Sequence, residues 1–591
     1  METFSKSSAV VAAVVVAATA WLWRMMNWLW FKPKQLENRL RNQGFDGRPY
    51  RFPNGDLKEA VEMLKEAKSR QLDVSDDAAL CVLPFHYHTV EKYGKKSFTW
   101  FGPVPRVHIM NPEHIKEVFA KVYEYPKMRS NPLRRLLVGG VASYNGEKWT
   151  HHRRILNPAF HQEKLKGSYI FAPAKHNQIR CSRRVSAPSS VIDFRGDFSS
   201  ALLGSSYSGS SVVQRRRFLG CGDGEEGGVL SKLMVPAFYR SCKDIVDEWE
   251  KVVKSEGMIS SCELDVWPYL QDMTCDVISR TAFGSSYKEG ARIFELITEM
   301  GTFIVQIAQQ IYIPGWRFVP TKANTRMKQV HKEIQELMEG IINKREKAMR
   351  MGMDDVANND LLGVLMESNN KDGNMTVEEV IEECKLFYLA GQETTSSLLV
   401  WTMILLSKYP AWQERARQEV LHVFGTKHGI DSTTLDSGSL SQLKTMTMIL
   451  NEVLRLYPPV TQLIRIIERD TELGDFILPA GTQVALPAIL IHKDPEIWGK
   501  DAGEFNPERF SDGVSKATKN HNQQGAYFFP FSGGPRICIG QSFALMEAKM
   551  ALAIILKRFS FELSPSYVHA PSAEAVTLRP QFGARLILHK L

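Results

Sequence analysis

The stretch FFPFSGGPRICIG, residues 528–540, places a single cysteine at the end of a glycine-rich loop. Residues 541–559 have the apolar spacing of a helix, so Cys538 lies just before a predicted helix N-terminus. The helix dipole and the free backbone N–H groups stabilise a thiolate there, and we expect a lowered thiol pKa. Such a thiolate is suited to bind a metal ion. The alternative is a buried structural cysteine beside a glycine-rich turn.

Three glycines and one arginine surround this cysteine. Glycine lets the backbone turn sharply and approach a ligand closely. We therefore expect Gly533, Gly534 and Gly540 to allow contact with a flat cofactor. Arg536 supplies a fixed positive charge two residues before the cysteine.

Residues 376–410, TVEEVIEECKLFYLAGQETTSSLLVWTMILLSKYP, predict one helix of roughly thirty residues, long enough to cross a whole domain. Thr376 and Glu379 form a capping box at its start, and Pro410 prevents its continuation. Gly391 lies near the middle, where a glycine costs about 1 kcal/mol and needs a structural reason.

Charged residues form a third pattern. The stretch NEVLRLYPP, residues 451–459, places Glu452 and Arg455 three positions apart on one helix face, where they can pair. The stretch NPERF supplies Arg509. E-x-x-R alone is common on surface helices and decides nothing by itself.

Five positions of the cysteine loop together match F-x-x-G-x-R-x-C-x-G: Phe531, Gly534, Arg536, Cys538 and Gly540. This pattern resembles the haem-ligating loop of the cytochrome P-450 superfamily. Other stretches, such as NPAFHQEKLK and EECKLFYLAGQETTS, resemble the plant clan of that superfamily that includes secologanin synthase. The resemblance covers nearly the whole chain outside residues 167–232. It implies a P-450 fold, mainly α-helical with a small β-sheet region.

The resemblance also implies roles for the long helix and the loop. Cys538 would be the axial ligand of the iron in haem b. The stretch around Gly391 resembles A-G-x-[DE]-T-T, in which the helix opens over the haem. Glu393 and Thr394 would then relay protons to iron-bound dioxygen. A Thr394 hydroxyl bonded to the carbonyl four residues back is the alternative.

Further residues receive roles by the same resemblance. The haem propionates would contact residues of KWTHHRR and of the segment after YPPV: Trp149, Arg153 and Arg465. A structural charge network would support the cysteine loop: Glu452, Arg455 and Arg509. The substrate would contact apolar residues: Phe387, Ala390 and Val460.

These roles predict a haem-thiolate monooxygenase that inserts one oxygen atom from O2 into an apolar plant metabolite, such as a terpenoid. No dinucleotide-binding fingerprint follows a predicted strand, so the electrons of NADPH would arrive through a flavoprotein reductase, the NADPH–cytochrome reductase. One alternative is a haem-thiolate isomerase or dehydratase that needs no reductase. Another alternative is a translated protein that residues 167–232 make inactive.

Residues 1–34 predict a membrane anchor with a basic flank, and residues 35–591 the monooxygenase domain. A helix from about residue 8 to 30 would span the ~30 Å hydrocarbon layer. Tryptophans suit its interfacial belt, and the following lysines and arginines predict a cytosolic catalytic domain on the endoplasmic reticulum. Arg24 can snorkel to the cytosolic surface. A cleaved secretory signal is the alternative, but no small-residue cleavage site precedes the basic residues. Only Pro33 stands where microsomal relatives carry a proline-rich hinge, which leaves the orientation of the domain open.

Composition and charge limit the classes of partner that we expect for this chain. The chain of 591 residues is 44% hydrophobic and 24% charged, as expected for a globular protein. The net charge of +9 is spread without basic runs that alternate with aromatic residues, so nucleic acid is not an expected partner. The eight cysteines include no C-x-x-C pair, which favours reduced thiols facing the cytosol.

Periodicity predicts helices at 58–68, 112–122, 235–254, 291–311, 324–350, 377–408, 411–424, 441–456 and 541–558. It predicts short strands at 97–100, 106–109, 474–478, 482–486 and 583–588.

Residues 167–232 break this pattern. Their 13 serines, 9 glycines and 7 arginines show no sustained period, and loops of this length are uncommon inside a compact domain. Joining Lys166 to Leu233 restores the helical spacing and the resemblance to the plant clan. We interpret the segment as translated non-coding sequence, with a disordered but tolerated surface loop as the alternative.

Overall fold

The computed structural model describes residues 2–160 and 230–591, apart from short gaps at 71, 129–131, 256–260, 286, 309, 311–314, 352–359, 373–374, 426–436, 519–526 and 574–575. Residues 167–229 of the predicted segment 167–232 therefore lie outside the described residues. Its last three residues, 230–232, belong to a helix. The predicted end of the segment at residue 232 therefore lies three residues inside this helix.

Helices form most of the described chain. In chain order they are α1 (Glu2–Met26), α2 (Lys32–Asn42), α3 (Leu57–Ser69), α4 (Ala79–Val82), α5 (Pro84–Tyr93), α6 (Pro112–Ala120), α7 (Pro132–Leu137), α8 (Gly146–Phe160), α9 (Leu230–Ser255), α10 (Val266–Phe283), α11 (Tyr287–Ala308), α12 (Lys322–Arg350), α13 (Leu361–Asp372), α14 (Val377–Lys408), α15 (Pro410–Phe424), α16 (Ser437–Ser441), α17 (Lys444–Leu456), α18 (Ala488–Ile491), α19 (Pro495–Trp498) and α20 (Gln541–Arg558). Each helix predicted from periodicity is present, which confirms a mainly α-helical fold.

The strands are β1 (Asp46–Gly47), β2 (Ser97–Phe101), β3 (Val104–His108), β4 (Ser261–Asp265), β5 (Leu463–Ile466), β6 (Thr471–Leu473), β7 (Phe476–Leu478), β8 (Gln483–Leu486), β9 (Phe559–Leu563), β10 (Pro571–Ser572), β11 (Arg579–Pro580) and β12 (Arg585–Lys590). The largest sheet has the order β1-β2-β3-β8-β5, and a second has the order β4-β12-β9. Two hairpins, β6–β7 and β10–β11, complete the strands.

Helix α14 runs through the centre of the fold. Its 32 residues correspond to roughly 48 Å at about 1.5 Å per residue. The predicted capping box is present, because the Thr376 hydroxyl accepts from the Glu379 N–H and the Glu379 carboxylate accepts from the Thr376 N–H. Every residue from Leu398 to Leu406 is buried. The second half of α14 is thus core, and exposed positions in its first half stand out.

The N-terminal residues form one unbroken helical run. Helix α1 passes through a π-helical turn, Asn27–Phe31, into α2. Within the described residues, Val11–Asn42 is long and apolar enough to cross a membrane by length and composition. Four residues of α2 are buried against the rest of the domain: Pro33, Leu36, Glu37 and Leu40.

Hydrogen bonds also attach this helical run to the domain. The Tyr50 hydroxyl donates to the Leu29 carbonyl at 2.7 Å, and the Tyr50 N–H donates to the Glu37 carboxylate at 3.2 Å. Arg39 pairs with Asp470 at 2.6 Å. The segment around Pro33, where microsomal relatives carry a proline-rich hinge, is therefore a continuous helix with fixed contacts.

Candidate active site

The cysteine loop, residues 528–540, is closed by its own backbone. The Cys538 N–H donates to the Phe531 carbonyl at 2.9 Å, and the Ile537 N–H donates to the Gly534 carbonyl at 3.0 Å. Ser532 has a φ of 63°, in the left-handed region that costs a non-glycine residue energy. The backbone thus fixes the direction of the Cys538 side chain before any ligand contributes.

Two of the predicted cofactor glycines have a packing role. A Cβ on Gly533 would lie 2.6 Å from the Phe119 ring, and one on Gly534 would lie 2.2 Å from the Phe119 carbonyl oxygen. These glycines let the loop pack closely against α6. Their contact with a flat cofactor stays a prediction. Gly540 is the glycine beside the thiol, with its Cβ position 4.0 Å from the Cys538 Sγ.

Cys538 is exposed, whereas the other described cysteines are buried: Cys81, Cys242, Cys262, Cys275 and Cys384. Its thiol is accessible but surrounded by protein on most sides. This burial raises the thiol pKa, and the Gly540 N–H and the charge of Arg153 lower it by less. The expected lowering of the pKa by the helix N-terminus was wrong, because the loss of hydration outweighs one backbone hydrogen bond.

Four cations gather beside this thiol. Burial, followed by the charges of Arg465 and Arg536, lowers the pKa of Lys127 to about 7. Burial also lowers the pKa of Arg465 and of Arg536 to about 10, and it lowers the pKa of Arg153. Within the described part of the chain, the charged groups that most shift the pKa values of these four cations are one another, Tyr123 and the Cys538 thiol, and none is a carboxylate. Cations buried together require an anionic partner, and a ligand with two carboxylates provides it.

The cations are held by backbone and amide groups. Arg536 donates to the Tyr144 carbonyl and to Asn145 Oδ1, both at 3.0 Å, and lies 4.3 Å from the centre of the Trp149 ring. Its Nε is buried without a hydrogen-bond partner among the described residues. Lys127 donates to the Ala142 carbonyl at 2.6 Å. The Arg536 Nε–H, which has no partner among the described residues, can donate to an anionic ligand.

The structure brings the predicted Trp149, Arg153 and Arg536 together. Trp149 and Arg153 line a pocket of about 500 Å³ that also includes Pro535 of the cysteine loop. Lys127 joins the cluster but was missed by the sequence analysis, because a lone lysine outside any motif gives no signal.

Helix α8 connects this cluster to the centre of α14. The positive charge of Arg153 lowers the pKa of the Cys538 thiol, so the two groups lie close to each other. Phe160, two turns further along, stacks on Phe387 of α14 with ring centres 5.2 Å apart. Ala390, one turn beyond Phe387, is exposed in a helix that is otherwise largely buried. We infer that this face of α14 borders the same space as the cation cluster.

Thr394 continues that face and is partly exposed. Its hydroxyl donates to the Ala390 carbonyl at 2.7 Å, the bond to the carbonyl four residues back. The helix is α-helical throughout Val377–Lys408, so the predicted opening is not seen. Gly391 has a packing reason, since a Cβ there would lie 2.9 Å from the Ile278 side chain of α10.

Glu393 points to a different neighbour. Its carboxylate is buried and accepts from the Thr577 hydroxyl at 2.9 Å. Sequence reasoning missed Thr577, since it lies 184 residues away outside any recognisable motif.

The predicted substrate residues lie near these groups. Phe387 is buried in the stack with Phe160, and Ala390 is exposed on the same face. Val460 is 37% exposed and follows Pro459, whose carbonyl accepts from the Leu578 N–H at 3.0 Å. Val460 therefore lies beside the segment that carries Thr577.

The charge network forms as expected, with one change. Arg455 donates to both Glu452 oxygens at 2.7 Å, and all of this pair is buried. Arg509 Nε lies 3.7 Å from Glu452 but pairs more closely with Asp501, at 2.7 Å.

One histidine connects this network to the cysteine loop. Arg455 donates to the His492 carbonyl at 2.7 Å, and the Phe529 N–H donates to His492 Nε2 at 3.2 Å. Burial lowers the pKa of His492 to about 3, so its ring stays neutral and can accept this bond at neutral pH. The buried ion pair thus supports the first residues of the loop.

An accessible cysteine on a rigid loop, four cations and an exposed strip on the central helix define a site for a thiolate-bound, dianionic cofactor. Haem fits this donor set, because a thiolate binds its iron and its two propionates need cationic partners. No group of three or more His, Cys, Asp or Glu in the described ranges could hold a metal ion without such a cofactor.

The comparisons identify the family. The cytochrome P450 family model matches residues 84–205 and 224–584, so the chain belongs to the cytochrome P450 family and is a P450 monooxygenase. It is 49% identical to cytochrome P450 72A15 of Arabidopsis thaliana over 99% of each chain. It is 45% identical to 7-deoxyloganic acid hydroxylase of Catharanthus roseus over 98% of this chain and 99% of that protein. The solved structure of retinoic acid-bound cyanobacterial CYP120A1 has the same fold, with a TM-score of 0.62 at 22% identity over 86% of this chain and 94% of that chain.

Proposed function

We propose that this P450 hydroxylates an apolar plant metabolite of the terpenoid class. Electrons come from NADPH through a flavoprotein reductase, the NADPH–cytochrome reductase. Helix α1 spans the endoplasmic reticulum membrane, and the catalytic domain lies in the cytosol. The substrate class is supported by the similarity to 7-deoxyloganic acid hydroxylase. The membrane position is supported by the helical segment Val11–Asn42, which is long and apolar enough to cross a membrane.

The single observation that carries the chemistry is the accessible Cys538 thiol beside four cations that have no carboxylate partner among the described residues. Cys538 would bind the iron of haem b, and the cofactor would supply activation of dioxygen when bound. Arg153, Arg465 and Arg536 would hold the propionates, together with Lys127. Arginine suits this contact because its planar group makes two parallel hydrogen bonds to a carboxylate.

Residues of α14 move the protons. The Thr394 hydroxyl donates to the Ala390 carbonyl, so its lone pairs are free to accept a bond from a ligand on the exposed side. The Glu393 carboxyl group, on the buried side of the same turn, would take up a proton, pass it on as the acid and return to the carboxylate. Phe387, Ala390 and Val460 give the substrate an apolar surface that excludes water.

A haem-thiolate isomerase or dehydratase that uses no reductase is the second candidate. Its reaction consumes neither O2 nor NADPH, so it needs no proton relay. The acid–alcohol pair of Glu393 and Thr394 favours the monooxygenase.

The deciding experiment uses the full chain in microsomes with a plant reductase. The carbon monoxide difference spectrum of the reduced enzyme should show a thiolate-bound haem. Incubation with 7-deoxyloganic acid and a panel of terpenoid acids under ¹⁸O2 should give a product with one ¹⁸O atom that depends on NADPH. A product formed without NADPH or O2 would establish the second candidate. Absence of the thiolate band would show that the chain as translated is inactive.

We also propose that residues 167–232 have a non-coding origin. Sequencing the transcript across Lys166 and Leu233 tests this, and a dominant mature transcript that contains the segment would refute it. A chain without 167–232 should load haem at least as well as the full chain. Because α9 begins at Leu230, a second deletion of 167–229 serves as the control for the helix start.

A further inference from the structure

The C-terminal hairpin docks on the central helix through a fixed backbone. Strands β10 and β11 pair Pro571 with Pro580 and Ser572 with Arg579. On the return side of the hairpin, the Leu578 carbonyl accepts from the Ser397 hydroxyl at 2.5 Å and from the Trp401 indole N–H at 2.9 Å.

The Leu578 N–H is also bonded, to the Pro459 carbonyl at 3.0 Å. Leu578 is therefore held at three points, all of them buried or backbone atoms. This fixes the position of the preceding residue, Thr577.

Thr577 directs its hydroxyl at the acid of the proton relay. The Thr577 Oγ1 donates to Glu393 Oε2 at 2.9 Å, and the two residues are 1% and 4% exposed. A carboxylate removed from water needs hydrogen-bond donors, and a donor to a charged acceptor forms one of the stronger hydrogen bonds in proteins. The bond is made to one of the two carboxylate oxygens, Oε2, so it favours one orientation of the carboxyl group.

We infer that Thr577 is a positioning residue that holds the Glu393 carboxyl group in the orientation from which it takes up a proton and passes it on. This inference rests on the proposed role of Glu393. It places one part of the proton relay on the C-terminal hairpin, far in sequence from the helix that carries the acid and the alcohol.

The test compares Thr577→Val, which removes the hydroxyl at nearly constant volume, with Thr577→Ser, which retains it. The full-length enzyme with plant reductase in lipid vesicles oxidises NADPH without added substrate. The measured quantity is the ratio of hydrogen peroxide released to water formed. We expect roughly a tenfold rise in this ratio for Thr577→Val, the loss expected for a hydrogen bond to a charged group, and less than about a twofold change for Thr577→Ser.

A second readout does not depend on turnover. The infrared C–O stretching band of the carbon monoxide-bound enzyme is sensitive to nearby charge, so a carboxylate in several orientations broadens or splits it. Thr577→Val should broaden the band and Thr577→Ser should not. Thr402→Val is the matched control, because its buried hydroxyl on α14 donates only to the local Leu398 carbonyl at 2.7 Å.

Glu393→Gln and the double variant separate this inference from the proposed function. If Thr577 acts through Glu393, adding Thr577→Val to Glu393→Gln changes the ratio no further. An effect of Glu393→Gln without any effect of Thr577→Val would overturn the inference and leave the proposed relay intact. No effect of Glu393→Gln would overturn both. If Thr577→Val loses haem, Thr577→Ala replaces it, and haem loss in both would overturn the inference by showing a purely structural role.

Discussion

The cysteine loop and the middle of α14, the two regions that we propose to face the cofactor, are held in different ways. In the loop, backbone hydrogen bonds and glycine packing against Phe119 fix Cys538. On α14, single side-chain bonds fix the chemistry: Thr394 to the Ala390 carbonyl and Thr577 to Glu393.

The difference teaches how each region should respond to change. The loop is fixed by several backbone hydrogen bonds, so no single bond can be weakened gradually. A substitution that disturbs the loop should therefore abolish the environment of the bound cofactor. Side-chain bonds can be removed one at a time, so changes on α14 should leave the cofactor bound and alter only how electrons are used. The following variants test this division.

Cys538→Ser should have the largest effect. It removes the thiol that the loop presents, so haem is lost or bound without the thiolate absorption band. The reduced carbon monoxide spectrum measures this directly. Cys81→Ser, at a buried thiol that donates to the Ala67 carbonyl, is the control and should keep the band. A normal band from Cys538→Ser would refute the ligand assignment.

Arg455→Met tests the support of the loop. It leaves the Glu452 carboxylate buried without its bidentate partner, which costs roughly 3–5 kcal/mol of unfolding free energy. Urea unfolding and haem content measure the loss. Arg415→Met is the matched control, because Arg415 is half exposed in its pair with Glu508 and should lose about 1 kcal/mol or less. Equal losses in the two variants would contradict a supporting role for Arg455.

Thr394→Ala tests the side-chain-held region. The thiolate band should be unchanged, while product formed per NADPH falls at least about tenfold, since general acid–base groups contribute on the order of 10²–10⁴ in rate. Ser407→Ala is the control, because its hydroxyl makes the same local bond, to the Met403 carbonyl at 2.8 Å, far from the exposed face. Unchanged coupling in Thr394→Ala would remove Thr394 from the relay.

Lys127→Met should have the smallest effect. It tests a residue that belongs to neither the cysteine loop nor α14. Loss of one charged contact to a propionate should speed haem transfer to apomyoglobin by about tenfold, with the thiolate band retained. Lys121→Met, at an exposed lysine paired with Glu117 at 2.8 Å, should transfer haem at the wild-type rate. Equal rates in the two variants would exclude Lys127 from the haem site.

Sequence alone predicted the parts of the site that lie within short motifs. Cys538, the Glu452–Arg455 pair and the capped helix Val377–Lys408 are local in sequence, so spacing and capping chemistry reveal them. Helix α10 was missed because most of its residues are buried, including Thr274 and Ser279, which removes the polar face that periodicity detects.

Contacts between distant segments could not be predicted. The pairing of Thr577 with Glu393 and the packing of Gly534 on Phe119 depend on tertiary structure, which no local pattern encodes. The pKa of Cys538 was misjudged for the same reason, because the burial that raises it comes from surrounding segments rather than from its own helix.

The unbroken run from α1 into α2 decides where a shortened soluble form can begin. Leu36 and Leu40 are part of the core, and each fully buried leucine contributes about 1.5–3 kcal/mol. Cutting the chain within Asn27–Phe31 removes the exposed apolar helix and keeps these leucines, whereas cutting after Asn42 would uncover the core beneath them. A form that begins in that π-helical turn is the version to crystallise.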